Sequence, residues 1–152
     1  MEKTSVPSFQ LIGIAVRTTN ANNKAATDIT MLWEKFRQED ILNKISNRID
    51  NTIYSVYTNY EGDHTQPYTT IIGCKVGILD MIPNGMVGLC FEGGNYVRIT
   101  ARGNLAEGLI VKEWSKIWNM KLERTFSADF EEFGEKALNP SDAEVNFYIA
   151  VK

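Results

Sequence analysis

A chain of 152 residues can bury a real core and is the size of one domain or of two tightly joined halves. Its 43% hydrophobic and 23% charged residues are ordinary for a globular protein, and a formal net charge of −3 gives no basic footprint for direct nucleic-acid contact. The amino-terminal MEKTSVPSFQ has no apolar signal core, and no run of about 18 apolar residues occurs, so no membrane span is expected and the cytoplasm is the expected location.

Met1 to Ser8 reads as a polar lead-in, and Phe9 to Arg17 as a β-rich strand. Asn20 to Thr27 offers several helix N-caps. Ile29, Leu32, Trp33 and Phe36 then fall at i, i+3, i+4 and i+7, one face of an amphipathic helix, with a short extension through Ile41, Leu42 and Ile45. Thr52 to Asn59 reads as a strand, Glu61 to Pro67 as a loop, and Tyr68 to Leu79 as a strand with Gly73 and Gly77 at close-packing or bulge positions. Val87 to Glu92 and Tyr96 to Arg102 are apolar runs flanking Gly93-Gly94-Asn95, which suits a hairpin turn. Asn104 with Glu107 three residues on resembles a capping box, and Ala106, Leu109, Ile110, Trp114 and Ile117 form a helical stripe. Cys74 and Cys90 both lie in apolar runs and read as small buried hydrophobes.

The last stretch, Arg124 to Lys152, reads as strand, turn and closing strand. Within it, strand alternation puts Asp129 and Glu131 on one face and Phe130 on the other. Glu131 is the leading site candidate, because a carboxylate among apolar side chains is costly unless paired, and a bound organic cation would be one partner. The alternative is that Glu131 and Glu132 are ordinary solvated charges at a strand end.

Three segments repeat in the same order. Tyr54-Ser55-Val56 can be laid over Phe126-Ser127-Ala128, Leu32-Trp33-Glu34-Lys35 over Glu113-Trp114-Ser115-Lys116, and Thr70 to Lys75 over Phe147 to Lys152. Each half is therefore strand, helix, strand, strand. The expected fold is α+β, a largely antiparallel sheet with helices grouped on one side.

Few residues offer catalytic chemistry. His64 is the only histidine and sits in a loop, where a local bond to Asp63 or to backbone is the simpler account, and no GxSxG elbow supplies a nucleophile. No HExxH or cysteine cluster points to a metal, Gly93-Gly94-Asn95-Tyr96 lacks phosphate-loop spacing, and no cofactor is expected. Aromatic content is the better clue. Trp33 and Phe36 read as core, but Trp114 and Trp118 at i, i+4, with Tyr57, Tyr60, Tyr68 and Tyr96, exceed what one small core needs. Each well-placed ring adds about 0.5–2 kcal/mol to the binding of a cation, so a few rings and a desolvated carboxylate would reach micromolar affinity if a cavity exists.

Tyr57-Thr58-Asn59-Tyr60-Glu61-Gly62-Asp63-His64-Thr65-Gln66-Pro67-Tyr68 followed by Ile71-Ile72-Gly73 resembles a motif of the GyrI-like small-molecule-binding family, which includes effector-binding domains of AraC-type and MerR-type multidrug regulators. Phe130-Glu131-Glu132-Phe133 resembles that family's Phe-Glu-x-Tyr motif, and Ala143 to Lys152 its closing strand, with Ala150 in place of a proline. The resemblance implies a single effector-binding domain over residues 1–152, built of two SHS2-like βαββ modules (about 8–80 and 88–152) related by pseudo-twofold symmetry. It implies that lipophilic, often cationic, molecules bind in a cleft between the halves through Glu131 and aromatic walls. Phe133 stands where the motif has Tyr, so a hydroxyl contact there is in doubt. With no room for a helix-turn-helix domain alongside, the chain resembles free-standing effector-binding proteins of integron cassettes. Two other roles stay open: a hydrolase of reactive small molecules using Glu131 to activate water, and a modulator of a protein partner such as DNA gyrase.

Overall fold

The computed structural model describes all 152 residues. The chain runs β1 (Glu2–Val6), β2 (Phe9–Thr18), α1 (Lys24–Gln38), α2 (Ile41–Lys44), β3 (Ile53–Thr58), β4 (Tyr68–Val76), β5 (Val87–Phe91), β6 (Gly94–Gly103), α3 (Leu109–Trp118), β7 (Ala128–Phe133) and β8 (Ala143–Ala150), with short 3₁₀ turns between some of them. All eight strands join one sheet in the order β1-β6-β8-β7-β3-β4-β2-β5, and every neighbouring pair is antiparallel.

That order reads the same when the halves are exchanged. β2, α1, β3 and β4 form one βαββ unit; β6, α3, β7 and β8 form the other. The units meet where β3 pairs with β7, with Ser55 opposite Glu131 and Tyr57 opposite Asp129. Each unit is preceded by a strand that serves the other: β1 pairs with β6, and β5 with β2. Met1 to Ser8 is thus no lead-in, since five of those residues form β1. Gly93 and Gly94 do not turn a hairpin either, because β5 and β6 lie at opposite ends of the sheet. Gly93 is instead needed for close approach: it has φ +77°, and a Cβ there would collide with the Val6 carbonyl oxygen and Pro7.

Only Pro7 and Ser8 separate β1, at one sheet edge, from β2, next to the other. The sheet must therefore curl until its ends approach. The Phe9 and Phe130 rings touch at 5.4 Å although β3 and β4 lie between their strands; in a flat sheet three strand spacings would hold them about 14 Å apart. The concave face holds a core of Val6, Phe9, Leu11, Tyr54, Val56, Ile71, Phe91, Tyr96, Ala128 and Phe130. Gly13 and Gly73 face each other in the β2–β4 pair, where a side chain on either would strike the opposing backbone, the close approach expected at Gly73. Gly77 has no such neighbour.

The helices cover the convex face. Leu32 and Phe36 of α1 and Ile41 of α2 bury against Ile12, Ile14, Ile72 and Cys74, while Trp114 and Ile117 of α3 bury against Ile99, Val145 and Phe147. Cys90 departs from expectation: it lies on the outer strand β5 and is exposed. Phe126 lies outside β7, which starts at Ala128, and has φ +54°, so the overlay of Tyr54-Ser55-Val56 on Phe126-Ser127-Ala128 is out of register. Asn104 accepts from the Ala106 amide, but it caps a 3₁₀ turn; α3 begins only after Gly108.

Candidate functional site

Two helical stripes face each other across the seam between the units. On α1, Ala26, Ile29, Thr30, Trp33 and Arg37 recur at helical spacing; on α3, Ile110, Val111, Trp114, Ser115 and Trp118 do the same. They wall an open cleft of about 1530 Å³ floored by Tyr57, Tyr68, Glu131 and Phe133. Tyr57, Glu131 and Phe133 stand there because odd-numbered positions of β3 and β7 point to the helix side, while Val56 and Phe130 point to the concave core; Tyr68 opens β4, whose even positions face the helices.

Glu131 is 1% exposed. Its Oε2 accepts the Tyr57 hydroxyl at 2.5 Å and the Trp114 indole N–H at 2.6 Å. The Ser55 hydroxyl donates in turn to Tyr57. Both bonds to the carboxyl fall on Oε2; Oε1 accepts none. No lysine, arginine or histidine pairs with the group. Burial pushes the Glu131 carboxyl up to about 7, against the opposing pull of its two donors. Burial, with the nearby Glu131, also holds Tyr57 well above the ordinary tyrosine range, so its hydroxyl stays a donor.

Asp129, two residues earlier on the same face, is 0% exposed but fully matched. Arg124 pairs with its Oδ2 at 2.7 Å, the Tyr60 hydroxyl donates to the same oxygen at 2.6 Å, and the Ala150 amide donates to Oδ1 at 2.8 Å. Of the two carboxylates that β7 turns to the helix side, Asp129 has a cation and Glu131 lacks one.

Aromatic rings surround the unmatched charge. Tyr57 meets Trp114 edge-on at 5.3 Å and Tyr68 at 5.9 Å; Tyr60 meets Tyr68 at 5.7 Å; Trp33 meets Phe133 at 5.1 Å. His64 stacks flat on Trp118, 5.1 Å between centroids and 7° between planes. Burial, helped by the Arg124 charge, lowers its pKa. Asn20 ties this loop to the floor, donating to the His64 carbonyl at 2.8 Å and accepting from the Tyr68 hydroxyl at 2.6 Å. No side-chain cap bond forms at the start of α1, where Asn20 and its neighbours offered caps.

The cleft thus collects seven of the eight residues singled out from the sequence: Glu131, Trp114, Trp118, Tyr57, Tyr60, Tyr68 and Phe133. Tyr96 lies elsewhere, on the concave face, where it is 2% exposed and donates its hydroxyl to the Ala128 carbonyl at 2.8 Å. The even positions of β6 that point inward put it there. Trp33, read as core, is instead a half-buried wall of the cleft; the core positions of its helix are Ala25, Leu32 and Phe36. The signal that finds Trp33 is the second stripe of α1, one turn after Ile29.

Residues 4–151 match the family model described as integron-associated effector binding protein, Cass2. The chain belongs to this effector-binding family. It is 28% identical to the integron cassette protein VCH_CASS2 from the mobile metagenome of Vibrio cholerae, covering 99% of this chain and 95% of that one with a TM-score of 0.77. It is 29% identical over 144 residues to Bacillus subtilis (strain 168) YobU, which carries a transcriptional-regulator name, covering 92% and 90% of the two chains. SAV2435, solved bound to tetraphenylphosphonium, shares the fold at a TM-score of 0.81 and 14% identity, over 99% and 93% of the chains. Membership makes this an effector-binding protein, with small molecules as its general ligand class. No helix is long and apolar enough to cross a membrane.

Proposed function

We propose that this effector-binding protein takes bulky lipophilic organic cations into the cleft between α1 and α3, with Glu131 as the counter-charge. The observation that carries this is the contrast on β7: Asp129 has Arg124, whereas Glu131, buried as deeply, has hydrogen bonds but no cation. A desolvated carboxylate without a counter-ion raises its pKa and waits for either a proton or a positive guest. Trp33, Trp114, Trp118, Tyr57, Tyr60, Tyr68 and Phe133 supply faces and edges for cation–π contact, and the cleft is larger than the 300–1,000 Å³ of a common drug-sized pocket. SAV2435, of the same fold, has a cation of this class as its ligand.

Calorimetric titration with tetraphenylphosphonium at pH 8 tests the proposal. The wild-type protein binds it, and Glu131→Gln, which keeps size and fold, loses about tenfold or more in affinity. Equal affinities would remove Glu131 from the role. A hydrolytic reading draws on the same carboxyl, since a free Oε1 and a pKa of about 7 suit a general base. Mass spectrometry of a reactive ligand after incubation separates the two: an unchanged mass speaks for binding, and a gain of water for turnover.

A further inference from the structure

The cleft also holds an uncompensated positive charge, at the end away from His64 and Trp118. Arg48 follows α2 and forms an isolated antiparallel bridge with Val76 of β4. Residues opposite each other in an antiparallel pair share a face, and Val76 belongs to the core under the helices, so the Arg48 side chain lies on the cleft side. Its Nη1 donates to the carbonyls of Leu42 at 2.6 Å and Ile45 at 3.0 Å, which fixes the guanidinium against the end of α2. Its Nε is buried and has no acceptor. Arg37, from the last turn of α1, lines the same end of the cleft. Neither arginine joins any ion pair of the chain. Asp50 and Glu135 also line the cleft; Asp50 accepts the Thr52 amide, and neither carboxylate pairs with Arg37 or Arg48.

The strand registers give the spacing. Ser55 stands opposite Glu131 across β3–β7 and opposite Ile72 across β3–β4, while Arg48 stands opposite Val76. Four residues along and one strand across separate the backbones of Glu131 and Arg48 by about 14 Å. Nη1 holds the guanidinium in place, while Nη2 makes no bond within the protein, and a fixed guanidinium with a free donor on a cleft wall is a carboxylate or phosphate receptor. From this pair of unmatched charges we infer that the cleft is bipartite. Its ligand carries a lipophilic aromatic cation at one end, for Glu131, and an anionic carboxylate or phosphate on a flexible or elongated tail, for Arg48 and Arg37. This rests on the reading of Glu131 as a cation site and extends it from simple cations to elongated zwitterions.

The probes are triphenylphosphonium ions bearing an ω-carboxyalkyl chain, each compared with its own methyl ester, over a series of chain lengths. The phosphonium end is common to both members of a pair; only the anion differs. In the wild-type protein the acid binds about tenfold or more tighter than the ester once the chain is long enough to span the cleft, and equally at short lengths. Arg48→Gln abolishes that preference while ester affinity is unchanged, so the ester reports that the cleft is still formed. If Arg48→Gln binds neither because the end of α2 has come loose, Arg37→Gln takes its place and is expected to reduce the preference. Equal binding of acid and ester at every length overturns the bipartite cleft and leaves the cation site standing. So does a preference that survives both arginine substitutions. Failure of every acid and ester to bind would instead strike at the cation site itself. Inorganic phosphate as a competitor distinguishes a phosphate-type tail from a carboxylate: if it displaces the acids and leaves the esters bound, the subsite accepts phosphate.

Discussion

Two carboxylates set two residues apart on β7 carry most of the chemistry. Asp129 is neutralised by Arg124, and breaking a buried pair from one side costs about 3–5 kcal/mol because the partner charge is left stranded. Arg124→Met is therefore expected to destabilise the protein by that amount in urea denaturation, with part of it recovered when Asp129→Asn is added. Glu131 behaves in the opposite way. Its native pKa of about 7 lies above its unfolded value near 4.5, so between those pH values the folded protein holds a proton that the unfolded chain has released. Stability is greatest below about pH 4.5 as far as this group is concerned, falls as pH rises, and levels off above 7. The loss amounts to about 3 kcal/mol. Glu131→Gln is expected to flatten that slope and to melt at a higher temperature than wild type at pH 8, though it binds cations less well. A melting profile with the same pH slope in both proteins would contradict the account. Asp129 and Glu131 sharing a face was legible from alternation alone; Arg124 as the partner of one and not the other was not. That pairing depends on how the chain from Arg124 to Ala128 kinks, with Phe126 at positive φ, and no spacing rule announces it.

Among the elements, the helices show what a periodic pattern resolves. The stripe of Ile29, Leu32, Trp33 and Phe36 announced α1, but it merged two faces. Leu32 and Phe36 turn to the sheet, and Ile29 and Trp33 turn to the cleft, about 100° round the helix. A pattern of apolar residues reports that a face is dry, and both a core and a greasy cleft are dry. Trp33→Ala is accordingly expected to weaken tetraphenylphosphonium binding about fivefold while leaving the smaller tetraethylammonium within about twofold, measured by quenching of the remaining indoles. Equal losses for both cations would make Trp33 a structural residue. The strands show the converse limit. Tyr96 has the composition of a wall residue, yet the pleat of β6 turns it to the concave face, where its ring packs tilted against Phe130 at 5.6 Å. One position along a strand decides the face, and the register of β6 against β8 is a tertiary fact.

At the level of the whole molecule, the repeat of strand, helix, strand, strand was readable, because element order survives where residue identity has drifted. The exchange of edge strands was not. β1 is short and polar, and it becomes a strand only because the β6 edge is there to receive it. That exchange ties each unit to the other at the outer edges as well as at the β3–β7 seam, and it curls the sheet so that α1 and α3 stand apart on the convex face with the cleft between them. The position of Glu131 at the seam follows: it is the place where both units contribute a wall, with Tyr57 from one and Trp114 from the other meeting on the same carboxyl oxygen. Carbon-13 NMR titration of the Glu131 carboxyl, with and without saturating tetraphenylphosphonium, measures this arrangement most directly. The account predicts a pKa of about 7 in the free protein that falls when the cation is bound, since proton and cation compete for one charge. A free value near 4.5, or one that does not move on saturation, would contradict it.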